Sequence, residues 1–347
     1  MSSPSTDDPI ILEVPTHDDR IMWDIYLYTN VLPAIAAADE LGLFTLLAEA
    51  PLTVDEVSAR LNLEHDWTEV LLATLGAMKL ARVLDGRFQL TDMAREYMLP
   101  DSPYYRGLSL QSFAMRNPGE RVKHSITTSG TPENERYVVR EWKPGDLSRE
   151  VAERTTTTMH GWSFASAVGM ARNADFTGVT RLLDVAGGSG GFAIAIAQPH
   201  PQIHCTVADL DVVCELSQEY IDRYGVADRV DTLVMNMFYE KFPRGYDAML
   251  FSCVLHDWGQ EQRAQLIASA YEALDSGGRI YIHEMLMNDS GDGPFGPALF
   301  GLGMRIGTRG KQFTAPELRR DLEAAGFADV FVQNTFGYFS VVIGSKP

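Results

Sequence analysis

The pattern of hydrophobic and polar residues changes near residue 180. From there on, short apolar runs alternate with segments in which apolar residues recur every three or four positions, and this alternation predicts strands separated by helices. We predict strands at 181–185, 203–209, 230–235, 246–252, 279–285, 329–334 and 337–343, and helices near 190–198, 212–224, 260–275 and 315–326. The order predicts a doubly wound, Rossmann-like α/β domain whose seven-stranded sheet is mostly parallel and ends in an antiparallel hairpin.

The chain before residue 180 is predicted to be mainly helical. Helical spacing extends over residues 21–50, and the apolar face is wider than a solvated helix needs, which indicates packing against a partner. Between residues 51 and 99, two predicted helices precede two short strands that turn at Asp85 and Gly86. Helix, helix and hairpin is the order of a winged helix. A long helix is predicted over 149–172.

The charge of the chain argues against nucleic acid and membrane partners. The sequence has 47 acidic and 29 basic residues and a net charge of −18, which repels phosphate groups and anionic lipid. The winged-helix segment between Thr53 and Pro100 itself carries eight acidic and five basic residues. We therefore interpret it as a packing domain, and a winged-helix DNA-binding regulator stays a distant alternative.

The cysteines and the N-terminal segment predict a cytoplasmic protein. Cys205, Cys214 and Cys253 match no zinc-site spacing and are too few for a disulfide framework. The first 19 residues are polar and acidic and lack the apolar core of a secretion signal. We find no apolar run long enough to cross a bilayer, so no membrane partner is expected.

A glycine-rich segment follows the first predicted strand of the α/β domain. Residues 182–191 contain Asp184 followed by Gly187, Gly188 and Gly190, and such a loop lets the backbone approach a ligand closely at the carboxyl edge of the sheet. A carboxylate on the strand repels a pyrophosphate but suits an α-amino group. The segment therefore predicts a cofactor with an amino-acid end and not a dinucleotide.

A second acidic residue ends the next predicted strand. Asp209 lies 25 residues after Asp184, and a carboxylate at this tip can accept hydrogen bonds from both hydroxyls of a ribose. The alternative is that Asp209 only caps the helix predicted to begin near Val212. We favour the ribose role because the loop and the acidic residue occur together at this spacing.

Polar residues also follow the fourth and fifth predicted strands. His256, Asp257 and Trp258 come just after the fourth strand, and His283 and Glu284 end the fifth. This edge of the sheet is where a substrate would meet the cofactor, so we predict that His256 is catalytic; the alternative for a single histidine is a surface or capping residue. A metal held by His256, Asp257 and His283 is a weaker alternative because the spacing is sparse, and we predict no metal.

Several short motifs together form one family pattern. They are Leu183-Asp-Val-Ala-Gly-Gly-Ser-Gly, Asp209-Leu210, Met237-Phe238, Leu255-His-Asp-Trp, Gly310-Lys-Gln-Phe-Thr and Leu322-x-x-Ala-Gly-Phe327. On these motifs, residues 20–347 resemble the dimeric small-molecule O-methyltransferases of plant phenolic and bacterial antibiotic pathways. The resemblance implies S-adenosylmethionine as cofactor, S-adenosylhomocysteine as product, a small aromatic substrate and a homodimer formed through the N-terminal domain.

The resemblance also implies roles for the residues at matching positions. In the cofactor site, Asp184, Gly187, Gly188 and Gly190 are implied to hold the methionine portion and Asp209 the ribose. Met237 and Trp258 are implied to sandwich the adenine, and Ser163 to contact the cofactor carboxylate. The further cofactor-binding positions are Leu210, Asn236, Phe238 and Ser252. His256 matches the family's general base, and Glu284 matches the acidic residue that orients it. Asp257 is the third residue predicted to be catalytic.

The substrate pocket is expected in the segments 100–170 and 290–312. The candidate residues there are Met159, His160, Trp162, Phe300, Met304 and Arg305. Arg305 is the candidate that suggests an anionic group on the substrate.

Three positions depart from the family pattern. Asn236 stands where the family usually has an aspartate facing the adenine amino group, although an amide carbonyl can accept the same hydrogen bond. Ser252 replaces a common lysine. Gln312 stands where many members carry a second acid beside the histidine, and the loss of that carboxylate weakens stabilisation of a protonated imidazole.

The expected domain organisation follows from these motifs. We expect a disordered tail over 1–17, a helical, winged-helix dimerisation domain over 18–115, a helical connector lining the substrate pocket over 116–175 and a Rossmann-like cofactor-binding domain over 176–347. The expected reaction is O-methylation of a phenolic or aromatic secondary metabolite with His256 as base. Alternatives are C- or N-methylation of an aromatic amino acid or α-keto acid on the same fold, and a cofactor-binding protein without turnover, which the presence of His256 opposes.

Overall fold

The computed structural model of the protein describes residues 15–102, 105, 107, 110 and 147–347. Most of the predicted tail, residues 1–14, and the first part of the predicted connector, residues 116–146, lie outside the described residues.

The N-terminal domain is built from short helices and a two-stranded hairpin. Its elements are α1 (Arg20–Leu27), a 3-10 turn (Tyr28–Asn30), α2 (Val31–Glu40), α3 (Leu43–Glu49), α4 (Val54–Leu61), α5 (His65–Ala77), β1 (Ala81–Leu84), β2 (Arg87–Leu90) and α6 (Asp92–Met98). Helices α4 and α5 and the antiparallel hairpin form the predicted winged helix. Thr53 and Glu56 cap α4 reciprocally, as the sequence predicts.

The helical spacing predicted over residues 21–50 is confirmed, but it belongs to several short helices. The segment breaks into α1, the 3-10 turn, α2 and α3. Proline is tolerated in the first turn of a helix and not in its interior, and Pro33 lies in the first turn of α2. Gly42, with a φ of 74°, separates α2 from α3 in a conformation that a residue with a Cβ adopts at a cost. The apolar periodicity continues through these breaks because each short helix buries one face: α2 and α3 in the core of the winged-helix domain, and α1 in a separate cluster through Trp23 and Leu27.

The same N-terminal segment has the composition of a membrane span. Among the described residues, one stretch, Arg20–Glu40, is long and apolar enough to cross a membrane, with a mean hydropathy of 1.2 over the tested window. It consists of α1, the 3-10 turn and α2, and Ala34, Ala37 and Ala38 belong to the core of the winged-helix domain. This is the behaviour of a core segment near the N-terminus.

A seven-stranded sheet forms the second half of the molecule. Its strands are β3 (Arg181–Val185), β4 (His204–Asp209), β5 (Val230–Val234), β6 (Ala248–Ser252), β7 (Arg279–Met285), β8 (Ala328–Phe336) and β9 (Phe339–Ser345), in the order β5-β4-β3-β6-β7-β9-β8. Strands β3 to β7 pair in parallel, and the hairpin of β8 and β9 joins antiparallel to β7. The predicted doubly wound fold is confirmed. The strand order reverses between β3 and β6, and ligands bind at such a switch point.

The helices of the second half cover both faces of the sheet. They are α7 (Arg149–Asn173), α8 (Gly191–Ala197), α9 (Asp211–Arg223), α10 (Gln260–Ala273), α11 (Phe295–Gly307) and α12 (Ala315–Ala325). Helix α7 packs against α8, α9 and β8. The sequence does not predict α11, because Gly296, Gly301 and Gly303 lower its helix propensity. Packing stabilises it instead: Leu302 enters the winged-helix core, and Leu299 packs at the junction of the two domains.

Candidate active site

The glycine loop lies between β3 and α8 with the backbone geometry that its sequence indicates. Gly188 and Gly190 have φ angles of 57° and 73°. A Cβ at Gly187 would lie 2.7 Å from Oδ2 of Asp184 and 2.9 Å from Val207, so only glycine fits there. A Cβ at Gly188 would meet no atom within 4 Å, which leaves open space above the loop.

Asp184 is buried next to this loop without a partner. Neither carboxylate oxygen has a hydrogen-bond partner among the described residues. Burial raises the pKa of Asp184 to about 7; the nearby backbone N–H of Ala193 opposes this shift, and the charge of Asp209 adds to it. An unpaired buried carboxylate is costly and is stabilised by a cationic ligand group. The residues present therefore fit an α-ammonium group, as the amino-acid end of S-adenosylmethionine supplies.

Asp209 ends β4 and bonds to the loop. Its Oδ2 accepts a hydrogen bond from the backbone N–H of Gly188 at 2.9 Å, and its Oδ1 accepts one from Leu210 at 2.7 Å. Helix α9 begins after Leu210 without a side-chain cap, so the alternative that Asp209 caps this helix has no support. Each carboxylate oxygen has a second lone pair with which it can accept a ribose hydroxyl.

Three residues implied at the adenine lie together. The rings of Phe238 and Trp258 meet edge to face with centroids 4.4 Å apart, and Met237 packs on the same core. Asn236 is buried, and its side-chain carbonyl accepts a hydrogen bond from the backbone N–H of Phe238 at 3.0 Å.

His256 and Glu284 form a buried hydrogen-bonded pair. His256 lies in the 3-10 turn Leu255–Asp257 that follows β6, and Glu284 lies near the end of the adjacent parallel strand β7. Nδ1 of His256 is 2.6 Å from Oε2 of Glu284, and Oε1 accepts the backbone N–H of His256 at 3.3 Å. Nε2 lies 3.8 Å from Oδ1 of Asp257. Because Glu284 accepts the Nδ1 proton, Nε2 is the nitrogen available to a substrate.

The charges around His256 make it a strong base. Burial opposes a charged imidazole, but the carboxylates of Glu284 and Asp257 outweigh burial and raise the pKa of His256 to about 9. Burial, opposed by His256 and assisted by Glu284, raises the pKa of Asp257 to about 6. A perturbed histidine and carboxylate in one buried group are typical of catalytic sites.

Ser252 and His283 bond to each other, and this pairing does not support a cofactor role for Ser252 or a metal-binding role for His283. The hydroxyl of Ser252 lies 3.2 Å from Nδ1 of His283, whose Nε2 lies 2.9 Å from the hydroxyl of Thr335. Burial lowers the pKa of His283 to about 3, so the imidazole is neutral. With both ring nitrogens bonded to hydroxyls, His283 has none left for a metal. The predicted cofactor contact of Ser252 has no support, because its hydroxyl serves this internal network.

Cys253 is a site residue that the sequence does not single out. Potential metal-ligand atoms of Cys253, His256 and Glu284 lie within 4.8 Å of one another. However, Nδ1 of His256 and Oε2 of Glu284 are 2.6 Å apart, whereas two ligands of one tetrahedral zinc ion lie roughly 3.3 Å apart, given bonds of about 2.0 Å. The spacing of this pair fits a hydrogen bond and not shared coordination.

An aromatic cluster lies beside His256, where the two domains meet. This junction cluster contains Trp23, Leu27, Met285, Leu299, Phe300 and Phe339, with Trp162, Cys253 and Met304 packed against it. The ring of Phe300 meets that of His256 edge on at 5.2 Å, and Trp162 lies 4.8 Å from Trp23. Three predicted substrate residues, Trp162, Phe300 and Met304, therefore come together next to the candidate base. Trp23, from the N-terminal domain, is buried in this cluster and contacts both Trp162 and Phe300.

The other predicted pocket residues lie elsewhere. The guanidinium of Arg305 pairs with Glu64 at 3.3 Å and with Asp66 at 3.5 Å, linking α11 to the N-terminal domain. These ion pairs correct the expectation that Arg305 meets an anionic substrate. Met159 is half exposed, and its carbonyl accepts a hydrogen bond from the hydroxyl of Ser163 at 2.8 Å, within helix α7.

His160 lies away from its predicted surroundings, whereas Gln312 agrees with its prediction. His160 bonds to Ser189 in the glycine loop, away from the junction cluster. Gln312 is buried, and neither atom of its amide has a partner among the described residues. Gln312 therefore makes no hydrogen bond to His256, in keeping with the loss of the acid usual at this position.

Comparisons with known proteins give the family. Residues 134–328 match the O-methyltransferase domain, and residues 23–100 match the O-methyltransferase dimerisation domain. The second match agrees with the interpretation of the winged helix as a packing domain and gives no support to a DNA-binding regulator.

Individual relatives cover most of the chain. It is 34% identical to the 3-hydroxy-5-methyl-1-naphthoate 3-O-methyltransferase of Streptomyces sahachiroi over 85% of this chain and 86% of that protein. It is 27% identical to the L-tyrosine C(3)-methyltransferase of Streptomyces lavendulae over 83% and 80%. An O-methyltransferase family 2 protein from Planctomyces limnophilus, solved with apigenin, superposes with a TM-score of 0.84 at 27% identity and full coverage of both chains. The chain therefore belongs to the O-methyltransferase family and is an S-adenosylmethionine-dependent methyltransferase with its own dimerisation domain.

Proposed function

We propose that the protein methylates a hydroxyl of a small aromatic substrate and that His256 is the general base. The observation that carries the proposal is the buried His256–Glu284 pair, with Nδ1 and Oε2 2.6 Å apart. The pair lies at the carboxyl edge of the sheet, where Asp184 and Asp209 also lie. It is next to the aromatic junction cluster.

The cofactor has a matching set of residues along this edge. Asp184 would hold the amino group, Asp209 the ribose, and Phe238 with Trp258 the adenine. When bound, S-adenosylmethionine supplies a methyl group already activated by the sulfonium. The protein then has to exclude water and align the acceptor oxygen with the methyl group and sulfur.

The base takes the proton that the substrate loses. The acceptor hydroxyl donates its proton to Nε2 of His256 while its oxygen gains the methyl group. A phenol with a pKa near ~10 and an imidazole with a pKa of about 9 are closely matched, which favours proton transfer in the transition state. Throughout the reaction, Glu284 accepts a hydrogen bond from the Nδ1–H of His256, and its negative charge stabilises the imidazolium that forms.

The junction cluster supports an aromatic acceptor. The rings of Trp23, Trp162 and Phe300 pack together, and Phe300 contacts His256; aromatic side chains such as these bind flat apolar molecules. The relative from Streptomyces sahachiroi is named for a hydroxynaphthoate and the Planctomyces protein was solved with apigenin. We infer a phenolic substrate with one or more fused rings.

C-methylation is the second candidate because a relative at 27% identity is an L-tyrosine C(3)-methyltransferase. A ring carbon beside a phenol becomes nucleophilic on the same deprotonation, so His256 would serve both reactions. N-methylation of an aromatic substrate remains a third possibility on the same fold.

A labelled-methyl assay tests the proposal. Purified protein is incubated with methyl-labelled S-adenosylmethionine and a panel of hydroxynaphthoates, flavones, polyketide phenols and L-tyrosine. We expect label in at least one phenol, with the methyl carbon assigned to oxygen by NMR. Label on a ring carbon or nitrogen would select an alternative, and a folded protein that binds neither S-adenosylmethionine nor S-adenosylhomocysteine would overturn the proposal.

The proposal also includes assembly and location. The dimerisation-domain match supports a homodimer, and α1 with the 3-10 turn after it exposes apolar side chains that a second copy would cover, namely Ile21, Met22, Ile25, Tyr26 and Tyr28. We propose that the enzyme acts in the cytoplasm, in keeping with its free cysteines.

A further inference from the structure

A histidine on the long helix α7 contacts the glycine loop. Nδ1 of His160 lies 2.8 Å from the hydroxyl of Ser189, and Ser189 is buried in the middle of the loop. Sequence analysis assigns His160 to the substrate pocket. Its side chain instead bonds to the segment that precedes α8, on the cofactor side of the site.

Aromatic side chains hold the imidazole in this position. The ring of His160 stacks on Phe164 at 4.5 Å and packs against Tyr220 of α9 at 4.4 Å. The contact with the loop is close, because a Cβ at Gly191 would lie 3.3 Å from Phe164 and 3.5 Å from Nδ1 of His160. The imidazole is therefore fixed against the loop by packing on two helices.

The hydrogen bond joins two neutral groups. Burial, with the charge of Arg223 adding to it, lowers the pKa of His160 to about 4. The imidazole therefore stays uncharged over the range in which a methyltransferase is assayed. Nδ1 and the Ser189 hydroxyl can share one proton at any of these pH values.

The loop has a second attachment on its other side. The hydroxyl of Ser217 on α9 lies within hydrogen-bond distance of two carbonyls, those of Gly188 in the loop and Val213 in its own helix, and can donate its proton to either. The loop is thus held at two consecutive residues, at Gly188 from α9 and at Ser189 from α7. Left-handed residues at Gly188 and Gly190 flank Ser189, and one backbone hydrogen bond, from the N–H of Gly190 to the carbonyl of Gly187 at 2.9 Å, closes the turn around it.

We propose that His160 is a positioning residue for the cofactor: through Ser189 it holds the glycine loop in the conformation that receives the amino-acid end of S-adenosylmethionine. This inference rests on the proposed function, because it assumes that the loop binds that cofactor. Helix α7 also carries Trp162 in the junction cluster, so the same helix contacts both the cofactor loop and the substrate pocket.

Calorimetry with S-adenosylhomocysteine on the full chain tests the inference. His160→Ala removes the bond, and we expect the dissociation constant to rise about threefold to tenfold, the loss typical of one neutral hydrogen bond. His160→Asn places an amide near the position of Nδ1, so we expect it to bind within twofold of the wild type. Ser189→Ala removes the same bond by a smaller change, and we expect it to match His160→Ala.

A double variant and a control separate positioning from general stability. The effects of His160→Ala and Ser189→Ala should not add in the double variant, because both remove one bond. His200 bonds to the carbonyl of Ala171, near the other end of α7, through Nε2 at 2.8 Å. His200→Ala also removes a bond to this helix, and we expect unchanged affinity for S-adenosylhomocysteine.

Each contrary outcome has a definite meaning. Wild-type affinity in folded His160→Ala, additive effects in the double variant, or an equal loss in His200→Ala would overturn the positioning role while the proposed function stands. A folded wild-type protein that binds no S-adenosylhomocysteine would overturn both.

Discussion

Nδ1 of His256 lies 2.6 Å from Oε2 of Glu284, and both side chains are buried. Glu284 also accepts the backbone N–H of His256 through its other oxygen, so one carboxylate fixes both the ring and the turn that carries it. The pairing leaves Nε2 for the substrate and raises the affinity of the imidazole for a proton. Several predictions about pH and substitution depend on this relationship.

The rate should increase with pH up to an unusually high value. Burial opposes the charge on His256, but the nearby carboxylates raise its pKa to about 9, so only a small fraction of the imidazole is neutral at pH 7. On a phenol of high pKa, we expect kcat/KM to rise about tenfold per pH unit between about pH 6 and 8 and to level above about pH 9.5. A profile that is flat over this range would show that proton transfer to His256 does not limit the reaction.

Replacing Glu284 with glutamine should move this profile to lower pH. The amide still accepts the Nδ1 proton but no longer stabilises the imidazolium by charge. We expect the midpoint to fall by about one unit or more and the loss of activity to be larger at high pH than at pH 7. Asp257→Asn is the matched control: its carboxylate lies 3.8 Å from Nε2 and makes no hydrogen bond to the ring, so its shift should be smaller. An unchanged midpoint in Glu284→Gln would rule out the electrostatic role.

Cofactor binding should release a proton from Asp184. Burial raises the pKa of Asp184 to about 7, and a bound ammonium group lowers it by stabilising the carboxylate. The protonated fraction of Asp184 must therefore lose its proton on binding, and affinity should decrease as the pH drops below about 7. Calorimetry at pH 6 in buffers of different ionisation enthalpy measures this release, with Asp184→Asn as the variant that should lack it. Zero release by the wild type would contradict the assignment.

The exposed face of α1 should be required for dimerisation. Ile21 and Ile25 are 62% and 57% exposed on successive turns, and burying such a face is the main driving force for association. We expect the wild type to have twice the mass of the chain by light scattering and Ile21→Asp/Ile25→Asp to be a folded monomer. Leu84→Asp, at a residue 56% exposed on the hairpin, is the control that should stay dimeric. A dimeric double variant would place the interface elsewhere.

The residues at the carboxyl edge of the sheet could be predicted from sequence, because the carboxyl ends of parallel strands lie at the same edge. Asp184, Asp209 and His256 are far apart along the chain, yet each lies in or follows a buried strand of the sheet. Strand periodicity alone is therefore enough to bring them to one edge. The same reasoning succeeded for Glu284, which lies on the strand next to the one that precedes His256.

The substrate side was less predictable because it depends on contacts between elements. Glycines obscure α11, which carries Phe300 and Arg305, and an isolated arginine gives no sign that Glu64 and Asp66 will pair with it. Cys253 and Trp23 join the pocket wall only after the two domains pack together. His160 falls at a helical position that fits either the substrate or the cofactor side, and only the contact with Ser189 distinguishes them.

The most direct test of the account is the methyl-transfer rate of His256→Ala on a phenol of high pKa. The account predicts a loss of at least about 100-fold, with affinity for S-adenosylhomocysteine kept within a few-fold, because the base acts in the transition state and not in cofactor binding. His256→Gln keeps a polar side chain of similar length without the basicity and should lose as much. Near-wild-type turnover by folded His256→Ala would contradict the account: methyl transfer would then proceed by alignment alone, and His256 would be structural.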